Sequence, residues 1–245
     1  MTTNNKIIAL PFAGGNKYSF NNIEKYIPKK IDWITLELPG RGSRFKEKLF
    51  DNVDQMVNDL FNQIMPHIQE GNYIIYGHSM GTLLGYELAK KITEKRMHKP
   101  MALFFTGRGA PGFSRFNNKK SILPSSLFWE EVGKIGGLPK EILECNELLD
   151  LYYPIMKSDF KAIEDYSYLP MEIPFTFPIH ILMGKDEIGF GDEKTPLTGM
   201  KDWQNETSNN CTFELLEGDH FFIFKHAESI AKRISQIAIN SVVIF

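Results

Sequence analysis

Six short apolar runs punctuate the chain: Ile7–Phe12, Trp33–Leu38, Tyr73–Tyr76, Ala102–Thr106, Ile179–Met183 and Thr212–Leu216. Most are continuous rather than alternating, the pattern of strands buried on both faces. Segments with helical spacing lie between them. Val53, Met56, Val57, Leu60, Phe61 and Ile64 recur along Val53–Ile68 behind a cap at Asp51. Leu83–Lys95 follows the third run directly, and Ala227–Val242 carries Ile230, Ile234 and Ile237 on one face. Alternating β and α segments predict an α/β fold, a mostly parallel sheet with helices on both faces.

One stretch breaks the alternation. From about Ser114 to Tyr168 there is no good strand pattern. Phe128, Val132 and Ile135 predict one short helix, and Ile142 to Ile163 predicts more. A helical block between two strands, residues 114–168, reads as a lid inserted into a single domain spanning residues 1–245. Lids exclude water and shape a substrate channel. The plainer alternative is an extra helical layer with no role in a site.

Composition narrows the function classes. The 245 residues are 42% hydrophobic and 24% charged, which suits a large globular core. A net charge of −2 gives no electrostatic case for nucleic acid. No long uncharged apolar run predicts a membrane span, and Met1 to Lys6 is too polar for a signal peptide. Cys145 and Cys211 make neither a disulfide framework nor a zinc site. A soluble, cytoplasmic, monomeric protein with no metal and no cofactor of its own is the expectation.

The strongest chemical signal is Gly77-His78-Ser79-Met80-Gly81, between the third apolar run and a helical segment. This strand–turn–helix setting is that of a nucleophile elbow. Its sharp turn lifts a serine hydroxyl to the edge of the sheet, and the helix N-terminus aims free N–H groups at the reacting oxygen. The alternative is a glycine-rich turn whose serine only caps the helix.

A serine hydroxyl needs a base, and in this setting the chain order is serine, acid, histidine. His67 and His98 read as surface residues, His180 as a strand residue packed in the core, and His226 as a helix-start residue. His78 is read as pointing away from the nucleophile. His220, in Glu217-Gly218-Asp219-His220-Phe221-Phe222, follows the last strand and is the candidate base. The fifth run leads into Gly184-Lys185-Asp186-Glu187, so Asp186 is the favoured acid, with Glu187 and Asp192 as alternates. An oxyanion hole takes one N–H from the residue after the nucleophile, Met80, and a second from the loop after an early strand. Phe12 and Ala13, before Gly14-Gly15, are the candidates, and Ala13 is favoured.

With these residues placed, the chain resembles a type II thioesterase of nonribosomal peptide and polyketide synthesis, nearly end to end. Leu10-Pro11-Phe12-Ala13-Gly14-Gly15 is similar to that family's opening motif, whose alanine supplies an oxyanion N–H. Glu37-Leu38-Pro39-Gly40-Arg41-Gly42 resembles its second-strand motif, and Gly77 to Gly81 matches its elbow. Pro154 with Lys157-Ser158-Asp159-Phe160 resembles its lid segment, with departures at Tyr153 and Lys157. Gly218-Asp219-His220-Phe221-Phe222 matches its base motif.

The resemblance implies hydrolysis of acyl groups from the phosphopantetheine arm of a megasynthase carrier protein, through an acyl-Ser79 intermediate. It also implies an acidic docking partner, for which Arg115, Lys119 and Lys120, with Arg108 nearby, are the candidate basic patch. A general carboxylesterase, a dedicated product-release enzyme and a non-catalytic binding module remain alternatives on the same scaffold. Phe113, Phe116, Phe128, Trp129, Tyr152, Tyr153 and Phe160 suggest an apolar channel or, more plainly, lid packing.

Overall fold

Each apolar run becomes a strand in the computed structural model, which describes residues 4–113, 118–136, 144–191 and 194–240. These are β1 (Asn5–Leu10), β2 (Ile31–Thr35), β3 (Tyr73–His78), β4 (Ala102–Thr106), β5 (Ile179–Gly184) and β6 (Cys211–Leu216). They form one sheet in the order β2-β1-β3-β4-β5-β6, and every adjacent pair is parallel. The first two strands end earlier than their apolar runs. Pro11 lacks the N–H that a continuing ladder needs, so β1 stops at Leu10 and the chain turns toward Gly14-Gly15.

Period-two alternation divides the strand side chains between two cores. Ile8, Leu10, Ile75, Leu103 and Phe105 face one side. There they meet α2 (Val53–Ile68) and α3 (Met80–Glu94). Ile7, Ala9, Ile74, Tyr76 and Phe104 face the other side. They meet Ile23 of α1 (Asn21–Glu24) and Ile230, Ala231, Ile234 and Ala238 of the helix Ala227–Asn240.

The α2 boundaries are those its periodicity predicts, but its cap is Asn52 and not Asp51. Asn52 Oδ1 accepts from Gln55 N at 2.9 Å, while Asp51 pairs with Lys161 at 2.9 Å. The predicted extension of the last helix beyond Asn240 lies outside the described residues.

Between β4 and β5 lie α4 (Ser125–Ile135) and α5 (Asn146–Glu164), the two helical segments expected there. Their apolar faces form a third cluster, Phe128, Trp129, Val132, Met156 and Phe160, against which Ala13 packs. The Phe128 ring makes edge contacts with Trp129, Tyr153 and Phe160 at 5.4, 5.4 and 5.5 Å between centroids. These lid aromatics therefore pack on one another. Ser114, Arg115, Phe116, Ile142 and Asp192 fall outside the described residues. Short helices α6 (Leu197–Lys201) and α7 (Phe222–Lys225) flank β6, before α8 (Ala227–Asn240). Among the described residues, no helix is long and apolar enough to cross a membrane.

Two glycines test this packing in opposite directions. A Cβ on Gly81, at the head of α3, would collide with the backbone carbonyls of Leu10 and Pro11. A Cβ on Gly133, inside α4, would meet nothing within 4 Å. Gly81→Ala is expected to destabilise the protein by about 1–3 kcal/mol. Gly133→Ala is expected to stabilise it by about 0.5–1 kcal/mol. Urea unfolding midpoints at unchanged m-value measure both.

Candidate active site

The turn from β3 into α3 carries a strained residue. Ser79 sits at φ 56° and ψ −113°, a conformation that side chains other than glycine rarely adopt. Several contacts hold it there. Ser79 N donates to Thr106 O at 2.9 Å, and Thr82 N donates to Ser79 O at 3.1 Å. The Thr82 hydroxyl donates to the carbonyls of Gly77 and Thr106 at 3.0 and 2.9 Å. A side chain at Gly77 would strike the backbone of Gly81, so the turn closes only with glycine at both ends. Met80 is the first residue of α3, and its N–H is among those that precede the helix's own hydrogen-bond ladder.

His220 lies on the loop after β6. Its Nε2 accepts from the Ser79 hydroxyl at 2.9 Å, and its Nδ1–H donates to Glu187 Oε1 at 2.6 Å. All three residues are buried, Glu187 at 3%, His220 at 6% and Ser79 at 9% exposure. A carboxylate on Nδ1 selects the tautomer whose Nε2 lone pair faces the hydroxyl, and it favours the imidazolium that forms when the proton moves.

The acid facing the base is Glu187, which corrects the favoured reading of Asp186. Residues Lys185–Glu187 form a single 3-10 turn after β5. Successive side chains in such a turn point about 120° apart. Asp186 therefore faces solvent, while Glu187 comes round beneath His220. Glu187 Oε2 also accepts from Gly184 N at 2.9 Å, so the carboxylate is braced by the start of its own turn. The backbone of Asp186 still serves, because its N–H donates to Gly218 O at 3.1 Å and stitches the acid loop to the base loop. Gly184 has no side chain with which to mark a capping box, so no local signal in the sequence separates the two adjacent acids.

His78 is also nearer the chemistry than its reading implied. It is buried, its Nδ1–H donates to Thr106 Oγ1 at 3.0 Å, and its ring lies against His220 with centroids 4.9 Å apart and planes 32° apart. It forms a wall behind the base. Gly107, at φ 67°, leaves room for both rings, since a Cβ there would press on each.

The loop after β1 reaches the elbow from the other side. Gly81 packs on the carbonyls of Leu10 and Pro11, and Gly15 N donates to Phe12 O at 2.9 Å, closing a turn around Ala13 and Gly14. Ala13 and Met80 thus belong to two loops in contact. Gly14 N donates to Asp159 Oδ2 of α5 at 2.7 Å, and Asp159 is gripped by both guanidinium nitrogens of Arg41 at 2.6 and 2.8 Å. Sequence reasoning took Arg41 and Asp159 only as motif positions and did not connect them.

The remaining histidines stay away from this site. His180 meets Thr212 Oγ1 at 2.8 Å, with its pKa lowered by burial, and His226 Nε2–H donates to Glu217 O at 2.8 Å. Among the described residues, the basic cluster after β4 does not present itself as a patch. Lys120 and Arg108 are buried, and Lys119 pairs with Asp165 at 2.5 Å. The Lys120 N–H and the N–H and hydroxyl of Ser121 all donate to the Glu164 carboxylate. Closeness in sequence did not place these charges on one face, and Arg115 lies outside the described residues.

Comparison with known proteins gives the family and the fold. The thioesterase domain family model matches residues 5–238. The gramicidin S biosynthesis protein GrsT of Aneurinibacillus migulanus is 30% identical over 220 residues, covering 90% of this chain and 83% of that protein. The crystal structure of ClbQ from the colibactin NRPS/PKS pathway superposes with a TM-score of 0.89 at 29% identity, covering 98% of each chain. The structure of the type II thioesterase BorB from the borrelidin biosynthetic cluster superposes with a TM-score of 0.86 at 26% identity, covering 97% of this chain and 94% of that one.

The two neighbouring acids give a direct test. Glu187→Gln keeps the shape but removes the charge that holds the His220 tautomer. It is expected to lower kcat for a small acyl thioester by about a thousand- to ten-thousandfold. Asp186→Asn, on the solvent side, is expected to change kcat by no more than about twofold. Steady-state kinetics on both purified variants decide the matter, and the reverse pattern would restore Asp186.

Proposed function

The chain belongs to the thioesterase domain family, and from that premise we propose that it hydrolyses acyl thioesters held on the phosphopantetheine arm of carrier proteins in nonribosomal peptide or polyketide biosynthesis. The observation that carries this reading is the continuous relay from Glu187 through His220 to a strained serine at the head of α3. The relatives supply the setting: GrsT is named for gramicidin S biosynthesis, ClbQ for a colibactin NRPS/PKS pathway, and BorB as a type II thioesterase.

The reaction runs in two halves. Ser79 Oγ attacks the thioester carbonyl as its proton passes to His220 Nε2, and Glu187 stabilises the imidazolium. Negative charge collects on the carbonyl oxygen, where the N–H groups of Ala13 and Met80 receive it. The C–S bond breaks, the phosphopantetheine thiol leaves with the proton from His220, and the acyl group remains on Ser79. Water then attacks the acyl-Ser79 ester as His220 takes its proton. Collapse of the second tetrahedral adduct returns the proton to Ser79 and releases the acid. Every step uses a hydroxyl, an imidazole, a carboxylate and backbone amides.

Ser79→Ala tests the reading at its centre. It is expected to lower turnover of an acyl-carrier substrate by about a millionfold while the protein keeps its unfolding midpoint. The assay compares release from an acylated carrier protein with hydrolysis of a free ester of the same acid. Near-normal hydrolysis by pure Ser79→Ala removes the serine mechanism, and a preference for the free ester turns the reading toward a general carboxylesterase.

A further inference from the structure

Asp159 is where three segments distant in sequence meet. It is fully buried, on α5, and lies 118 residues from Arg41 and 145 from Gly14. Its Oδ1 accepts from Arg41 Nη2 at 2.8 Å. Its Oδ2 accepts from Arg41 Nη1 at 2.6 Å and from Gly14 N at 2.7 Å. Arg41 is itself 3% exposed. Burial opposes its charge, but Asp159 outweighs that and raises the guanidinium pKa. Met156, one turn earlier on α5, fills the space where Gly14 would carry a side chain, and Gly14 adopts φ 73°. The backbone at Gly14 therefore lies directly on the helix, held by a charged acceptor on one side and a thioether on the other.

We propose that Asp159, oriented by Arg41, is a positioning residue for the oxyanion site, and that α5 through it is a fixed part of the catalytic framework rather than a moving cover. This rests on the reading of Ser79 as nucleophile and of Ala13 N–H as an oxyanion donor. Asp159 pins the peptide N–H of Gly14, and Phe12 O pins that of Gly15, so the turn is tied immediately beyond Ala13. A donor that receives a developing charge must be aimed before the reaction starts. A hydrogen bond to an ionised acceptor is stronger than one to a carbonyl, which suits a backbone that must not drift. Arg41 has a second effect. A lone carboxylate one residue from the oxyanion would repel it, and the bidentate guanidinium cancels that charge. The lid then has unequal parts: α5 is hydrogen-bonded to the catalytic loop through Asp159, while α4 contributes Phe128, Trp129 and Val132 to the apolar cluster against which Ala13 packs.

The test uses Asp159→Asn and Met156→Ala in the full chain, with rates expressed per active serine titrated by a fluorophosphonate. Asp159→Asn keeps an oxygen for Gly14 but loses the charge, and kcat is expected to fall about 10- to 100-fold, below the loss of a whole oxyanion donor. KM should stay within about twofold, because ground-state binding is untouched. Affinity for an acyl trifluoromethyl ketone, whose adduct on Ser79 places an oxyanion in the same hole, should fall by the same factor as kcat. Met156→Ala leaves the ion pair intact and only frees Gly14, so it folds even if Asp159→Asn does not. A smaller loss of the same kind, about three- to tenfold, is expected there. A purely structural role would lower the titrated fraction of active enzyme and leave kcat per site and ketone affinity at wild-type values. That result, in whichever variant folds, overturns the proposal. If Ser79→Ala is inactive while these variants behave as wild type, only the positioning role fails. An active Ser79→Ala removes the reading beneath it.

Discussion

A serine backbone held at φ 56° costs on the order of 1–3 kcal/mol, and the surrounding structure must over-determine it. Much of the architecture near the sheet edge serves that end. Parallel pairing of β3 with β4 brings Thr106 beside His78, and Thr106 O takes the N–H of Ser79. Pairing of β3 with β1 brings Leu10 beside Gly77, so the head of α3 settles on Leu10 and Pro11 through Gly81. With the elbow closed in this way, the serine hydroxyl stands at the end of the sheet and α3 begins at the very next residue.

The same edge explains how the other groups arrive. In a sheet whose strands are all parallel, the loops after β1, β3, β4, β5 and β6 leave from one end. Glu187 comes from the β5 loop, His220 from the β6 loop, Ser79 from the β3 turn and Ala13 from the loop after β1. The acid and base loops are joined before either meets Ser79. Gly184 abuts the carbonyls of Gly218 and Asp219, and Asp186 N donates to Gly218 O. Placing a glutamate in this relay requires its longer side chain to be braced, and Gly184 N supplies the brace.

The lid is joined to this framework by charge as well as by apolar packing. A buried ion pair is weak evidence for stability, because desolvation offsets much of its attraction. The Arg41–Asp159 pair is therefore better understood by what it orients. Its third contact is the loop beside Ala13, and the apolar lid cluster packs on that same residue. Lid, second-strand loop and first-strand loop are thus three parts of one wall of the site.

Much of this was legible in the sequence. Continuous apolar runs gave six parallel strands because strands covered on both faces have no polar side to interrupt them. Val53–Ile68 revealed its helix to the residue, since its 3.6-residue period is long and unbroken. Ser79 and His220 were legible because an elbow and a base loop need particular residues at particular places along the chain. Choosing Glu187 over Asp186 was a matter of rotation within one 3-10 turn, and adjacent acids in a sequence carry no record of which side faces the base. Lys119 and Lys120 looked like one patch for the same reason, until the structure turned one inward and paired the other. The joining of Gly14, Arg41 and Asp159 belongs wholly to tertiary structure. Contacts across more than a hundred residues form only when the sheet order and the lid bring their segments together, and no local period or propensity encodes them.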